Sequence, residues 1–179
     1  VLDNSGSMGD NMAGSSWHVP EEEQRIYFLK EEAEKLILGL AAEENIDISL
    51  VPFADHANNP KPFRNARDDT RELLDDIDAM NDDGGTNTGD GLRRAYFQLV
   101  NHASTVASGI RIKNYAIILV DGVTTFASKE ENVNEYKRTP GNLIWNSQII
   151  GNGSVLDPQG TRYVEIMGEK FSQGNFAKT

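Results

Sequence analysis

The sequence predicts an α/β domain in which a mainly parallel, doubly wound sheet carries helices on both faces. Three observations lead there. Segments with helical spacing of apolar residues alternate with short branched runs, as strand–helix–strand crossovers require. One run, Asn114–Asp121 (NYAIILVD), holds a continuous apolar stretch, as expected of a central parallel strand covered on both faces. Two carboxylates, Asp3 and Asp121, stand at the carboxyl ends of predicted strands, where open α/β sheets bind their ligands.

The elements follow in order. Val1–Asp3 reads as the end of a buried strand already under way, so targeting signals could lie upstream, and Asn4–Ser16 as a loop of Gly, Ser and Asn. A helix is expected from Val19-Pro20-Glu21, with three glutamates in its first turn and Ile26, Leu29, Ala33, Leu36, Ile37 and Leu40 on its core face. Ile46–Phe53 is a strand, and Asp55–Asp69 a loop or short edge strand interrupted by Pro60 and Pro62. Thr70–Met80 is a helix facing inward with Leu73, Leu74, Ile77 and Met80. After a turn-rich loop, Thr88–His102 is a second helix with Leu92, Ala95, Tyr96, Leu99 and Val100 inward. Val123–Gly160 is dense in Asn, Gly, Ser and Thr, with a short strand or helical turn within Leu143–Ile150. Thr161–Phe171 is expected to be helical, because a strand would mix Glu165 with Tyr163 and Met167 on one face; a final strand would begin near Thr179.

A chain of 179 residues with 38% hydrophobic and 25% charged residues suits one domain with its own core. The net charge of −11 disfavours nucleic acid and anionic lipid as partners and favours cations, although most acidic residues fit the solvated faces of two helices. Cysteine is absent, which removes thiol catalysis, disulfides and Cys-zinc sites. No apolar run approaches the ~20 residues of a membrane span, so direct membrane insertion of this segment is not expected, and no signal peptide is read.

Chemistry concentrates in three short stretches. Asp3-Asn4-Ser5-Gly6-Ser7 places three oxygen side chains at alternate positions, with Gly6 allowing an unusual backbone turn. Asn81–Thr88 (NDDGGTNT) offers Thr86 just before a helix, and Asp121-Gly122 supplies a second carboxylate. Hydroxyls and carboxylates without His or Cys form a hard, all-oxygen donor set, suited to Mg²⁺, Mn²⁺ or Ca²⁺. An EF-hand reading fails, because the bidentate glutamate due at the end of that loop is Gly14. Trp17, His18 and His56 read as loop or surface residues, and His102 as a dipole-favourable helix cap. Asn152-Gly153-Ser154 matches a glycosylation acceptor, a pattern common by chance.

The DxSxS loop, the TxTxxGL stretch (Thr86, Thr88, Gly91, Leu92) and the later Val120-Asp121-Gly122 resemble, in order, the metal-ion-dependent adhesion site (MIDAS) of von Willebrand factor type A (VWA) domains. The resemblance covers nearly the whole chain and implies a single domain over residues 1–179 with a Rossmann-like fold. It also implies a first strand that is incomplete and a final strand and helix beyond Thr179. Carried over, Ser5, Ser7 and Thr86 would bind one divalent cation, Mg²⁺ first, through hydroxyl oxygens. Asp3 and Asp121 would act directly or through water, and Thr88 would serve the helix start rather than the metal. The loop Gly9–Gln24 is longer than in many relatives.

The function implied is adhesion or surface assembly, with the cation capturing a carboxylate of a protein partner such as another pilus or surface subunit. The place implied is the cell surface or the extracellular space, in loop style closest to bacterial pilus proteins. Two alternatives stand beside it. One is a cytoplasmic VWA scaffold in a chelatase or AAA-ATPase assembly. The other is a Mg²⁺-dependent phosphatase of the haloacid-dehalogenase kind. That phosphatase needs a second Asp two residues after the first, and position 5 is Ser. Neither Ser5 nor Ser7 lies in GxSxG, so a serine hydrolase is not expected either, and the chain reads as no enzyme.

Overall fold

The computed structural model describes residues 1–57, 59–105, 109, 111–122, 124–128, 149–151, 163–166 and 169–172. Strand β1 (Leu2–Asp3) pairs in parallel with β3 (Pro52–Phe53), Leu2 opposite Pro52 and Asp3 opposite Phe53. On its other side β1 meets the 117–120 segment, again in parallel. The Leu119 N–H donates to Val1 O (3.0 Å) and the Asp3 N–H to Leu119 O (2.9 Å). Asp3 and Asp121 therefore come off the same end of adjacent chain segments.

The expected strand Ile46–Phe53 changes partner midway. Its first part, β2 (Asp47–Ile48), pairs antiparallel with β4 (Arg64–Asn65), and Leu50 O accepts the Lys61 N–H at 2.7 Å. Its second part turns to β1. Pro60 and Pro62 have no N–H to donate, so the edge segment can pair only intermittently.

Alternation across this small sheet divides the core into two. Leu2 and Leu50 join Met8, Ile26, Leu29, Ala33, Ile37, Leu73, Ile77 and Met80, which is the side covered by α1 (Arg25–Ala41) and α2 (Thr70–Asp78). Val51 and Phe53 join Ala57 and Ala95, the side covered by α3 (Thr88–Thr105). Helices on both faces of a parallel sheet make the doubly wound α/β arrangement expected.

Several expectations are corrected. Helix α1 starts at Arg25, not Glu21: the three glutamates form a separate 3-10 turn, and Gln24 is extended because it bridges Asn11. Leu36 is exposed rather than core. In α3 the inward line is Asp90, Gly91, Arg94 and Ala95, whereas Leu92, Tyr96 and Val100 face outward. Gly91 explains the rotation, since a Cβ there would lie 2.8 Å from the Phe53 ring. The close approach that glycine allows puts positions 91 and 95 against the sheet and turns the larger apolar residues away.

The 117–120 segment is not covered on both faces. Leu119 packs on the first core cluster, but Ile117, Ile118 and Val120 are exposed, and no described helix covers them. Within Thr161–Phe171 the described residues are strand, not the expected helix. β7 (Tyr163–Ile166) and β8 (Glu169–Ser172) form an antiparallel pair that opposes Glu165 to Lys170 and Val164 to Phe171. The charge that argued against a strand has an opposite charge at the facing register position, and such pairs stabilise a sheet. β5 (Phe126–Ser128) and β6 (Ile149–Gly151) form another antiparallel pair, so the expected structure within Leu143–Ile150 is a strand at its end. The glycosylation triplet and the strand near Thr179 lie outside the described residues. Among the described residues no helix is long and apolar enough to cross a membrane.

Phe53, with no exposed surface, is the contact between the parallel strands and α3. Phe53→Ala should cost about 3–5 kcal/mol, the range of buried aromatic truncations. Leu36→Ala, on the outside of α1, should cost less than about 1 kcal/mol. Urea unfolding of the two variants checks the contrast, and equal losses would mean that the core is drawn wrongly.

Candidate functional site

The site is built where β1 ends. Asp3 Oδ1 accepts the Ser5 N–H at 2.9 Å, turning the chain out of the strand. A 3-10 turn, Gly6–Gly9, follows, closed by the Met8 N–H donating to Ser5 O at 2.9 Å. The Met8 side chain is buried among residues of α1 and α2, so the backbone carrying Ser5 and Ser7 is anchored in the core from beneath.

A second loop lies directly against the first. The Gly6 N–H donates to Gly84 O (2.9 Å), the Asp83 N–H to Asn4 O (2.9 Å), and Asn4 Nδ2 to Asn81 O (3.0 Å). Gly6 is needed here for proximity, not for an unusual turn as expected. Its φ is not among the positive ones, and a Cβ would sit 3.0 Å from Gly84 O. This contact delivers Thr86, whose own N–H donates to Thr125 Oγ1 at 2.9 Å and whose carbonyl accepts the Thr125 N–H at 2.9 Å.

The side chains then form one connected chain. Thr86 Oγ1 donates to Ser5 Oγ at 3.0 Å, the Ser5 and Ser7 hydroxyls are 3.2 Å apart, and Ser7 Oγ donates to Asp121 Oδ1 at 3.2 Å. The other oxygen, Asp121 Oδ2, accepts Arg25 at 2.5 Å. Asp3 is fully buried, and its Oδ2 has no hydrogen-bond partner. Burial raises the Asp3 carboxyl above its ordinary range, against the hydrogen bonds from Ser5 that lower it. The charge of Asp121 raises it further, while the Asp121 backbone N–H, which makes no hydrogen bond to Oδ2, lowers it. All five residues singled out in the sequence thus lie in one cluster: Asp3, Ser5, Ser7, Thr86 and Asp121.

The cluster fits a hard divalent cation in its chemistry. Every donor is oxygen, three are neutral hydroxyls within hydrogen-bond reach in series, and one buried carboxylate oxygen lacks a protein partner. Such an orphan costs free energy unless something meets it. Among the described residues no three or more His, Cys, Asp or Glu side chains converge on a metal position, so a cation here would depend on the hydroxyls.

Comparison with known proteins identifies the frame. The von Willebrand factor type A domain pattern matches residues 1–146. The chain belongs to that family. No curated protein matches its sequence. Among solved structures, the PilB minor pilin from Streptococcus sanguinis is similar to this VWA domain, with a TM-score of 0.63 and 24% identity over 98% of this chain. The pilus adhesin SpaC from Lactobacillus rhamnosus GG is similar too, with a TM-score of 0.56 and 24% identity over 86% of this chain. The chain spans 43% of the first structure's length and 18% of the second's, and at these identities the likeness speaks for the fold.

Two groups of residues around the site of this VWA domain were not read from the sequence. Asn87, not Thr88, makes the helix start: its Oδ1 accepts the Asp90 N–H at 3.1 Å, its own N–H donates to Ala54 O at 2.8 Å, and its Nδ2 donates to Asp55 O at 2.9 Å. Thr88 instead shares a hydrogen bond with Thr124 at 2.9 Å. Asp90, fully buried, accepts the Ala57 N–H at 2.7 Å and Arg93 Nε at 2.7 Å. The Asn87-x-x-Asp90 spacing was the available signal, since it imitates a capping box. Arg25 is the second group, and nothing in the sequence connects it with Asp121. His102 is no simple cap: its ring stacks on Phe63 with centroids 4.0 Å apart, and its Nε2 lies 3.2 Å from Asp47 Oδ2. Trp17 is exposed as expected, with the His18 ring edge-on to it.

The Asp90 carboxylate ties α3 to the 54–57 segment through the Ala57 N–H, and the Ala54 and Asp55 carbonyls of that segment hold Asn87 beside Thr86. Asp90→Ala should cost about 3–5 kcal/mol, because a buried ion pair loses one partner and the Ala57 N–H loses its acceptor. Thr86 amide exchange should accelerate in Asp90→Asn, which is expected to keep the fold. Unchanged exchange there would show the brace to be irrelevant to the site.

Proposed function

We propose that this VWA domain is a non-enzymatic binding module that holds one divalent cation and through it captures a carboxylate of a protein partner. The single observation behind this reading is the unbroken series Thr86–Ser5–Ser7–Asp121 beside the unpartnered oxygen of Asp3. Ser5, Ser7 and Thr86 would hold the ion through neutral oxygens, and Asp3 and Asp121 would balance its charge. Mg²⁺ suits an all-oxygen site of this size best, with Mn²⁺ or Ca²⁺ as alternatives. Bound there, the ion would supply an electrophilic open position. The chain's own contribution is to keep the donors preorganised on loops braced by the core.

Residue chemistry argues against catalysis. A carboxylate acid/base two residues after Asp3 is replaced by Ser5, and the Ser5 and Ser7 hydroxyls are engaged with each other. The partner is proposed to be another pilus or surface subunit, and the location the cell surface. The fold likeness to a minor pilin and a pilus adhesin supports this over a cytoplasmic ATPase scaffold. A secretion signal or surface anchor in the full-length protein would favour the surface reading, and an ATPase domain the scaffold.

Calorimetric titration with Mg²⁺ and Mn²⁺ should find one site. At an ion concentration 100 times the dissociation constant, the metal should stabilise the fold by about 2.7 kcal/mol. Asp121→Ala and Thr86→Ala should each weaken the metal by roughly tenfold or more while keeping the fold. Binding to co-encoded surface subunits should be lost in EDTA; affinity that ignores the chelator would place recognition elsewhere.

A further inference from the structure

We infer that Arg25 is a built-in counter-cation of this site, which competes with the divalent ion for Asp121 and so sets the metal affinity. The inference rests on the metal-binding reading above. Arg25 opens α1, directly after the 10–24 loop. Its NH1 lies 2.5 Å from Asp121 Oδ2 and 3.5 Å from Ser7 O, so one nitrogen contacts two of the five site residues. Its Nε donates to Asn11 O at 3.1 Å, and its backbone N–H to Asp10 O at 3.0 Å. The guanidinium is therefore held by the loop on one side and by the site on the other. The Arg25 side chain is 20% exposed and that of Asp121 9%, so water screens the pair only in part.

The direction of the effect follows from charge. Asp3 and Asp121 together would offer a divalent ion two negative charges, and Arg25 cancels one of them. The guanidinium places its positive charge directly against the Asp121 carboxylate. The neighbouring Asp82 and Asp83 are exposed and therefore contribute through water, where salt screens them. An ion binding at the hydroxyls must share Asp121 with Arg25 or displace it, and either weakens metal binding relative to a site without the arginine. The arrangement also ties the 10–24 loop to the site, because the nitrogens that hold Asn11 and Asp121 belong to one planar group.

Mn²⁺ titration of the wild-type chain, Arg25→Gln and Arg25→Lys provides the test. Arg25→Gln should bind Mn²⁺ roughly tenfold tighter, since a partly screened charge is removed. Arg25→Lys keeps the charge and should stay within about threefold of wild type. Without metal, Arg25→Gln should melt at a lower temperature, because Asp121 loses its partner. A measurement on the unaltered chain guards against a misfolded variant: the Arg25 Nε–H resonance should shift on Mg²⁺ addition, with the midpoint of metal binding. Unchanged or weaker Mn²⁺ binding in Arg25→Gln, or a resonance that ignores Mg²⁺, would overturn the inference while leaving the metal site standing. A wild-type chain that binds no Mn²⁺ would overturn the metal site and the inference with it.

Discussion

The carboxyl end of the sheet depends on the contact between two loops that would not ordinarily approach so closely. The Gly6 N–H reaches Gly84 O, and the Asp83 N–H reaches Asn4 O, so the loop after β1 and the loop before α3 share a short backbone ladder. It helps to bring Thr86 to Ser5, 81 residues away in sequence. Backbone hydrogen bonds suit this task because they fix position without consuming the side-chain oxygens, which stay available on the open side. The buried Met8 on one loop and the buried Asn87 and Asp90 beside the other hold the ladder from below.

Burial of Asp3 is the cost of this design. A carboxylate at the end of a parallel strand, with one oxygen satisfied by Ser5 and the other unmatched, destabilises the protein in isolation. Real proteins violate local rules at sites where something else compensates. The neighbouring hydroxyls cannot compensate for charge, since they are neutral and already bonded in series. Arg25 offsets part of the negative charge, but from the Asp121 end. Buried charge thus stands at the strand ends with Asp3, as it does beside the second apolar cluster with Asp90 and Arg94.

The legibility of this domain in its sequence follows the range of the interactions. Helices α1 and α2 were readable because their apolar faces repeat locally, and Ile26, Leu29, Ala33, Ile37, Leu73 and Ile77 are all buried. The five clustered residues were readable because short motifs mark strand ends. The rest was decided at long range. Periodicity alone puts Leu92, Tyr96 and Val100 inside α3, but a single glycine seated on Phe53 rotates the helix so that Asp90 and Arg94 point in. Between Tyr163 and Ser172, a helical pattern and a hairpin share the same residues. The pairing of β7 with β8, which local periodicity does not show, decides between them.

Arg25 is the instructive omission, for it is an ordinary surface-type residue at an ordinary helix start. Its partner Asp121 is 96 residues further along, and no local pattern links them. The loop before it supplies the reason for its position. Asn11 bridges Gln24 and accepts Arg25 Nε, while its side-chain oxygen accepts the Ala13 and Ser15 N–H groups, so the loop closes on itself before the helix begins. Closing the loop this way delays α1 from Glu21 to Arg25 and brings the guanidinium to the site. The glutamates left in the 3-10 turn cannot play this part, because they carry the wrong charge and are exposed. The closure of the 10–24 loop on Asn11 thus decides which charge stands beside the Asp121 carboxylate.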